Sequence, residues 1–247
     1  QTCWPTEKRL VHFCGHDLLL MPETDTTHSS VHIDVSKISR GDAYTLTNRL
    51  LSVLAFSCES PARIDYGHTT MLINEPIAIR KVGRGVRYPL FKDDLLIRSA
   101  EPNQENEVAL SFYREALLSD SYSHRFLCFY KIINLWHSDR LSGEKGNINR
   151  PLIKCILRRI EGDQRDDIKK CVRELGGFVA LPDLFYKDCR CAIAHANEVG
   201  STLDSDFHQR KLFYAVHIFH AVARDLMIEK GISQCLWRDS GPEGASV

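Results

Sequence analysis

The stretch that decides the fold is SDFHQRKLFYAVHIFHAVARDLMIEKGI, residues 205–232. Apolar side chains recur in it every three or four residues, and this spacing predicts one long helix with a single apolar face. Asp204 and Asp206 mark the start of this helix and Gly231 marks its end. The predicted apolar face holds Leu212, Phe213, Val216, Phe219, Ala223, Leu226 and Met227. Such a face needs other elements to cover it, so we expect a helical bundle around it.

Further helical patterns precede this helix. Residues 107–119 and 124–137 both carry apolar stripes, and the polar SDSYS between them predicts either one long kinked helix or two helices. Residues 151–160 begin with a proline, and residues 165–177 end on a pair of glycines, as helices commonly do. We therefore expect an α-helical domain over residues 101–235 and a flexible tail over 236–247.

The N-terminal part of the chain has a different pattern. Residues 11–21 and 29–38 are β-type runs separated by polar, turn-forming text, and residues 63–73 and 76–82 look like strands again. Between them, residues 42–58 predict one helix with Asp42 as its cap. The expected fold class is α+β, with a small α+β domain over residues 1–100 followed by the helical bundle.

Composition excludes several classes of protein. The 247 residues carry equal numbers of acidic and basic side chains and are 43% hydrophobic, which is typical of a globular protein and not of a disordered chain. No window is long and apolar enough for a membrane span, so we expect no membrane partner. The chain has nine cysteines, an odd number, and they are scattered along the sequence. Several lie within apolar segments predicted to be helical. This distribution favours reduced thiols and a cytoplasmic location. No signal peptide is visible at the start.

Arg190 and His195, five residues apart, are the candidates for catalysis. Their arrangement in the penultimate helix of a bundle resembles the signature of HEPN domains, many of which are metal-independent ribonucleases that act as dimers. The resemblance implies an RNA substrate, a homodimer, a composite site between two subunits, and no metal or other cofactor. Cys191 follows the arginine where catalytic members of that family usually have a polar residue.

A second resemblance covers more of the chain. Residues 112–136, FYREALLSDSYSHRFLCFYKIINLW, together with 186–196, YKDCRCAIAHA, are similar to the MauJ-type methylamine utilisation proteins, an accessory family of bacterial operons. This resemblance implies a place in methylamine metabolism without assigning a reaction.

The chemistry expected of Arg190 and His195 follows from their side chains. Cleaving RNA without metal requires proton transfer from the ribose 2′-OH to the leaving 5′-oxygen, which suits a histidine because both of its protonation states are accessible near neutral pH. The charged phosphorane suits an arginine, which stays protonated and can bind two oxygens. We expect a 2′,3′-cyclic phosphate product, with His195 as the proton carrier and Arg190 as the phosphate clamp.

Simpler interpretations of this pair remain open. On an ideal α-helix, residues five apart lie about 140° apart, so Arg190 and His195 would not share a face. His195 could bond a carbonyl at a helix end while Arg190 pairs with Asp188 or Asp183. Glu115, together with His124, is a possible supporting residue of the site, although solvated side chains are the ordinary alternative.

Metal binding is a weaker interpretation of two clusters. The first is Cys189, Cys191 and His195, whose Cys-x-Cys spacing is not that of a zinc knuckle. The second is His12, Cys14, His16, His28 and His32, of which the first three would share one face of a strand. Packed thiols and surface histidines explain both clusters without a metal. Gly-x-Ser-x-Gly and Walker A motifs are absent from the sequence.

The zero net charge hides an uneven distribution. Residues 80–92 hold five basic side chains and no acid, and residues 140–173 hold ten basic side chains against five acids. These runs predict a phosphate-binding surface that includes Arg84, Arg87, Arg158 and Arg159 and that loses affinity for RNA as salt rises. Solvated helix faces are the alternative.

Three functions follow from these residues. The first is a metal-independent endoribonuclease that uses Arg190 and His195, with Cys191 and Glu115 as supporting residues. The alternative is a non-catalytic accessory or scaffold protein of MauJ type that binds protein or RNA. The third is a metal-binding maturation factor that uses the His/Cys clusters.

Overall fold

The computed structural model describes residues 4–5, 7–66, 77–80, 104–137, 149–191 and 206–232. For residues 65, 66, 77–80, 137, 149–151, 190, 191, 206 and 207 it describes the backbone alone. The chain forms two units. The first runs to Leu118 and also contains Gly231 and Ile232, and the second runs from Ser119 to Lys230.

The first unit is an antiparallel sheet with two helices. Its elements are β1 (Arg9–Phe13), β2 (His16–Met21), β3 (Ser30–Ile33), α1 (Arg40–Cys58), β4 (Arg63–Tyr66), β5 (Ile77–Arg80) and α2 (Gln104–Leu118). The strands lie in the order β1-β2-β3-β5-β4, and every neighbouring pair is antiparallel. The predicted α+β class is confirmed.

The β1–β2 hairpin corrects one expectation. The run 11–21 is two strands joined at Cys14 and Gly15, whose φ angles of 49° and 80° fit the tight two-residue turn that such hairpins favour. Because Cys14 is in the turn, it does not share a strand face with His12 and His16. His12 instead lies opposite Asp17, with Nδ1 2.9 Å from the carboxylate.

Helix α1 packs on the sheet and forms the hydrophobic core of the first unit together with it. Asp42 is not its cap: the helix begins after Ser39, whose hydroxyl oxygen accepts the Asp42 N–H at 3.1 Å while the hydroxyl donates to the Asp42 carboxylate at 2.7 Å. Ser39 is therefore the N-cap, and the Asp42 carboxylate holds its hydroxyl in place. The core that α1 and the sheet share contains Trp4, Val11, Phe13, Leu18, Leu20, Val31, Leu46, Leu50, Leu51 and Leu54.

Helix α2 packs on α1 and is held there by polar contacts as well as by apolar ones. The Arg114 guanidinium donates to the backbone and side-chain oxygens of Asn48, at 3.0 and 2.8 Å, and Arg49 donates to Glu107 at 2.8 Å. The predicted boundary near residue 100 assigns α2 to the helical domain, whereas in the structure α2 lies in the first unit. The predicted tail over 236–247 lies outside the described residues.

The second unit consists of helices. They are α3 (Tyr122–His137), α4 (Asn149–Glu161), α5 (Asp166–Glu174), the short α6 (Leu181–Asp183) that continues into a π-helical segment (Leu184–Cys191), and α7 (Asp206–Glu229). The alternative of one kinked helix over 107–137 is wrong, since α2 and α3 are separate. Gly176 and Gly177 follow α5 and Gly231 follows α7, all with φ between 83° and 90°, as the sequence predicts for helix ends.

The core of the second unit is built around Phe219 on α7. Its ring lies 4.5 Å from Phe126, 6.2 Å from Tyr130 and 5.0 Å from Phe185, measured between centroids. Phe219, Phe126 and Phe185 are almost fully buried, so α7 is the central helix that the apolar face predicts. Within the described ranges, none of the helices combines the length and the apolar character that a membrane crossing needs.

Candidate functional site in the helical unit

The backbone that carries Arg190 is π-helical, and α-helical geometry does not apply to it. The segment LFYKDCRC, residues 184–191, has the wider turn in which hydrogen bonds join residues five apart. The 140° separation expected for Arg190 and His195 assumes an α-helix, whereas the backbone is π-helical up to Cys191, so their separation stays a prediction. Of Arg190 and Cys191 the structure describes the backbone alone, and His195 lies outside the described residues.

Cys189 lies inside the second unit and is unreactive at neutral pH. Its side chain is fully buried, and burial, with a smaller contribution from the charge of Asp188, raises the pKa of the thiol to about 12. A protonated, buried thiol is a poor nucleophile and a poor metal ligand. Burial of Cys189 thus agrees with the packed-thiol interpretation of this position.

An ion pair anchors the π-helical segment to α7. Lys211 Nζ lies 2.9 Å from the Asp188 carboxylate, and on the other side of the segment Lys187 lies 3.3 Å from Asp183. Both carboxylates that Arg190 could pair with in the simpler interpretation therefore bind lysines. His208 lies one turn before Lys211, and its pKa is lowered by burial, which keeps the imidazole neutral.

His208 is a polar residue near this segment that the sequence does not single out. The ion pair between Asp188 and Lys211 places it beside the segment that carries Arg190. No pattern in the sequence pairs residue 188 with residue 211, so no signal could have shown this.

The predicted phosphate-binding arginines differ in how they are used. Arg158 on α4 is exposed. Its neighbour Arg159 makes a two-fold contact with Glu229 at the end of α7, with Nη1 and Nη2 2.7 and 2.6 Å from the two carboxylate oxygens. This pairing raises the pKa of Arg159 further above its ordinary value. Arg84 and Arg87 lie outside the described residues.

A second arginine–carboxylate contact lies next to the contact between Arg159 and Glu229. Arg165 binds Asp163 at 2.6 Å and Asp225 of α7 at 2.7 Å, and the two carboxylates raise its pKa. Arg159 and Arg165 together fix α7 to α4 and to the start of α5. Part of the basic run over 140–173 is therefore occupied within the unit, which leaves Arg158 as the accessible member among the predicted phosphate ligands that are described.

The remaining predicted site residue belongs to the other unit. Glu115 is exposed on α2 in the first unit, whereas the π-helical segment lies in the second. His124, its suggested companion, lies on α3, with Nε2 3.5 Å from the Cys128 sulfur. A supporting role for Glu115 stays a prediction.

The helical part of the chain also decides the comparison with known families. Residues 109–228 match the family model of methylamine utilization protein MauJ. The match takes in α3, α4, α5, α6, the π-helical segment and nearly all of α7. No match was found among curated proteins or among solved structures.

This match confirms the MauJ-like part of the predicted resemblance. It covers both stretches that carry the resemblance, residues 112–136 and 186–196. The HEPN part of the resemblance, the dimer and the RNA partner stay predictions. So does the cytoplasmic location, although the cysteines of the described part are thiols, as predicted.

Proposed function

We propose that this protein is a non-catalytic accessory protein of methylamine utilisation that acts by binding a partner through its helical unit. The single observation that carries the proposal is the match of residues 109–228 to the MauJ family model. The family's description names a process and no reaction, which suits an accessory role.

The side chains of the helical unit support binding over chemistry. The buried thiol of Cys189 is protonated, and Arg159 and Arg165 are held by carboxylates of the same unit. These contacts give a rigid set of helices, and a preformed surface loses little conformational entropy when a partner binds.

Growth on methylamine tests the proposal. In a bacterium that encodes this chain and grows on methylamine, we expect deletion of the gene to abolish or strongly slow growth on methylamine as nitrogen source. Growth on ammonium should be unchanged, which controls for general fitness. Complementation with Arg190→Ala and His195→Ala variants should restore growth if the role is non-catalytic, and failure of both variants to restore it would contradict that part.

RNA cleavage is the second candidate function, and the backbone at Arg190 favours it. π-Helical turns occur frequently at functional sites, and here the turn lies on the arginine that the predicted motif requires. In this function Arg190 clamps the phosphate, His195 carries the proton, Arg84, Arg87 and Arg158 bind the RNA backbone, and two subunits form the site.

A cleavage assay in EDTA tests this second function. We expect the purified dimer to cut labelled RNA and leave a 2′,3′-cyclic phosphate, and we expect His195→Ala to abolish cutting while the fold is retained. Arg40→Ala, which removes an exposed arginine at the start of α1 outside both basic runs, is the matched control and should cut normally. Cutting that survives His195→Ala, or a protein that is monomeric in light scattering, would contradict this function.

A further inference from the structure

One face of α7 carries chemistry that neither the Arg190/His195 pair nor the predicted basic surface uses. Phe213, His217, His220 and Arg224 are spaced by four, three and four residues, so they lie on one stripe along α7. We call them the α7 stripe. Helix α3 packs on α7 and brings Tyr122 and Arg125 to it.

The first half of the α7 stripe is aromatic and open to solvent. The Phe213 side chain is 36% exposed, which is high for a phenylalanine, and its ring lies 5.5 Å from Tyr122 and 4.4 Å from His217 between centroids. His217 is exposed, and its Nδ1 lies 2.8 Å from the Phe213 carbonyl oxygen, which fixes the ring beside Phe213. These three rings form a partly exposed aromatic surface.

The second half of the α7 stripe ends in Arg224, and Arg125 of α3 adds a second cation beside it. Arg125 is partly buried, its Nε meets no hydrogen-bond acceptor, and no carboxylate of the described residues forms an ion pair with it. Arg159 also has a buried Nε without an acceptor, but its Nη1 and Nη2 bind Glu229, and Arg165 binds two carboxylates. A buried guanidinium N–H without an acceptor is costly, and an anion brought by a ligand would remove that cost.

The pKa of His220 is sensitive to the positive charges around the second half of the α7 stripe. Its ring lies 5.0 Å from Phe129 on α3, and burial and the surrounding cations lower its pKa to about 3. The charges with the largest effects are all positive, on Arg125, Arg224, His217 and Arg165 in that order.

We propose that the seam between α3 and α7 is a phosphate-binding site, in which Arg125 is the main ligand, Arg224 adds positive charge, and the rings of Tyr122, Phe213 and His217 flank the bound group. The site does not depend on the proposed accessory role or on Arg190 and His195.

Phosphate fits the site better than a carboxylate does. A phosphate group is more highly charged at neutral pH than a carboxylate, and its oxygens point in several directions. This arrangement suits Arg125 and Arg224, which belong to two different helices. The phosphate can come from a free phosphate compound or from a single-stranded RNA. The exposed Phe213 ring favours the RNA source, because bases stack on aromatic side chains next to cationic grooves.

Two probes test the site: inorganic phosphate, followed by histidine NMR, and a short single-stranded RNA, followed by fluorescence anisotropy. A bound dianion offsets the positive charges around His220, so we expect phosphate to raise the pKa of His220 in the unmodified protein. Arg125→Gln should raise that pKa without any ligand and should abolish the response to phosphate. If RNA is the source, Arg125→Gln should weaken RNA binding about tenfold or more, as expected for the loss of a charge-assisted contact.

The matched control is Arg40→Gln, which removes the same charge from an exposed position at the start of α1, outside both basic runs, and should leave both responses unchanged. A phosphate response without RNA binding would assign the site to a free phosphate compound and support the proposal. An unchanged pKa of His220 at tens of millimolar phosphate, or an equal response in Arg125→Gln, would overturn it. Binding of an acidic peptide with no response to phosphate would also overturn it and would assign the seam to a protein partner.

Discussion

The two units of the chain use their arginines differently. In the first unit, Arg49 and Arg114 hold α2 against α1 by binding Glu107 and Asn48. In the second unit, Arg159 and Arg165 do similar work for α7, but Arg125 has no such partner. Among the described residues, both arginines that join α1 to α2 are therefore used in packing, whereas the helical unit keeps at least one arginine, Arg125, without a carboxylate partner. The family match lies mostly in that same unit.

The largest effect is expected from the core of the helical unit. Phe219→Ala removes a buried ring that contacts three other rings, and we expect it to lower the free energy of unfolding by about 3–5 kcal/mol. Urea unfolding followed by circular dichroism measures this. Leu50→Ala, a buried change in the first unit, should cost about 2–5 kcal/mol. A loss below about 1 kcal/mol for Phe219→Ala would show that α7 is not the central helix of its unit.

The second effect is acid sensitivity of the helical unit. The pKa of His220 is about 3 in the folded chain and 6.5 in its ordinary state, so between these values the unfolded chain binds a proton that the folded chain does not. Stability therefore falls as pH falls from 7 towards 4, by about 1–3 kcal/mol after allowance for solvent at this partly exposed side chain.

His220→Gln should flatten this pH dependence, measured as the denaturation midpoint at several pH values. His217→Gln changes an exposed histidine of the same helix and should leave the dependence as it is. An equally steep fall in both variants would show that His220 is not the group responsible.

The smallest effect is expected from the arginine–glutamate contacts, which differ in strength between the two units. Glu229→Gln breaks the two-fold contact with Arg159, and we expect a loss of about 0.5–1.5 kcal/mol, because the carboxylate is more than half exposed. Glu107→Gln breaks the single contact with Arg49 in the first unit and should cost about 0.2–1 kcal/mol. A double-mutant cycle for each pair measures the coupling, and a larger value for the first unit would reverse the comparison.

Periodicity was enough to predict most of the fold. Most of the apolar stripe of α7, the strands near the N-terminus and the glycine ends of α5 and α7 are confirmed, because burial and backbone conformation leave direct traces in the sequence. Phe213, predicted on the apolar face, is instead exposed. The cap of α1 was assigned to Asp42 instead of Ser39, since both residues are good caps and only the backbone shows where the helix begins. The turn at Cys14 was missed because cysteine rarely adopts a positive φ.

The candidate site was less predictable, because its contacts join residues distant in sequence. The pairing of Asp188 with Lys211 and of Arg159 with Glu229 depends on how helices pack, which no local spacing records. The π-helical backbone at Arg190 is equally invisible in the sequence, where α-helical spacing is assumed. The cationic surroundings of His220 come from α3, α5 and α7 together.

Growth on methylamine tests the central claim most directly, because that claim is that the MauJ-like helical unit serves methylamine utilisation. We predict that a strain lacking this gene grows on ammonium and fails on methylamine, and that the unmodified chain restores growth. Normal growth of the deletion strain on methylamine as its only nitrogen source would contradict the account.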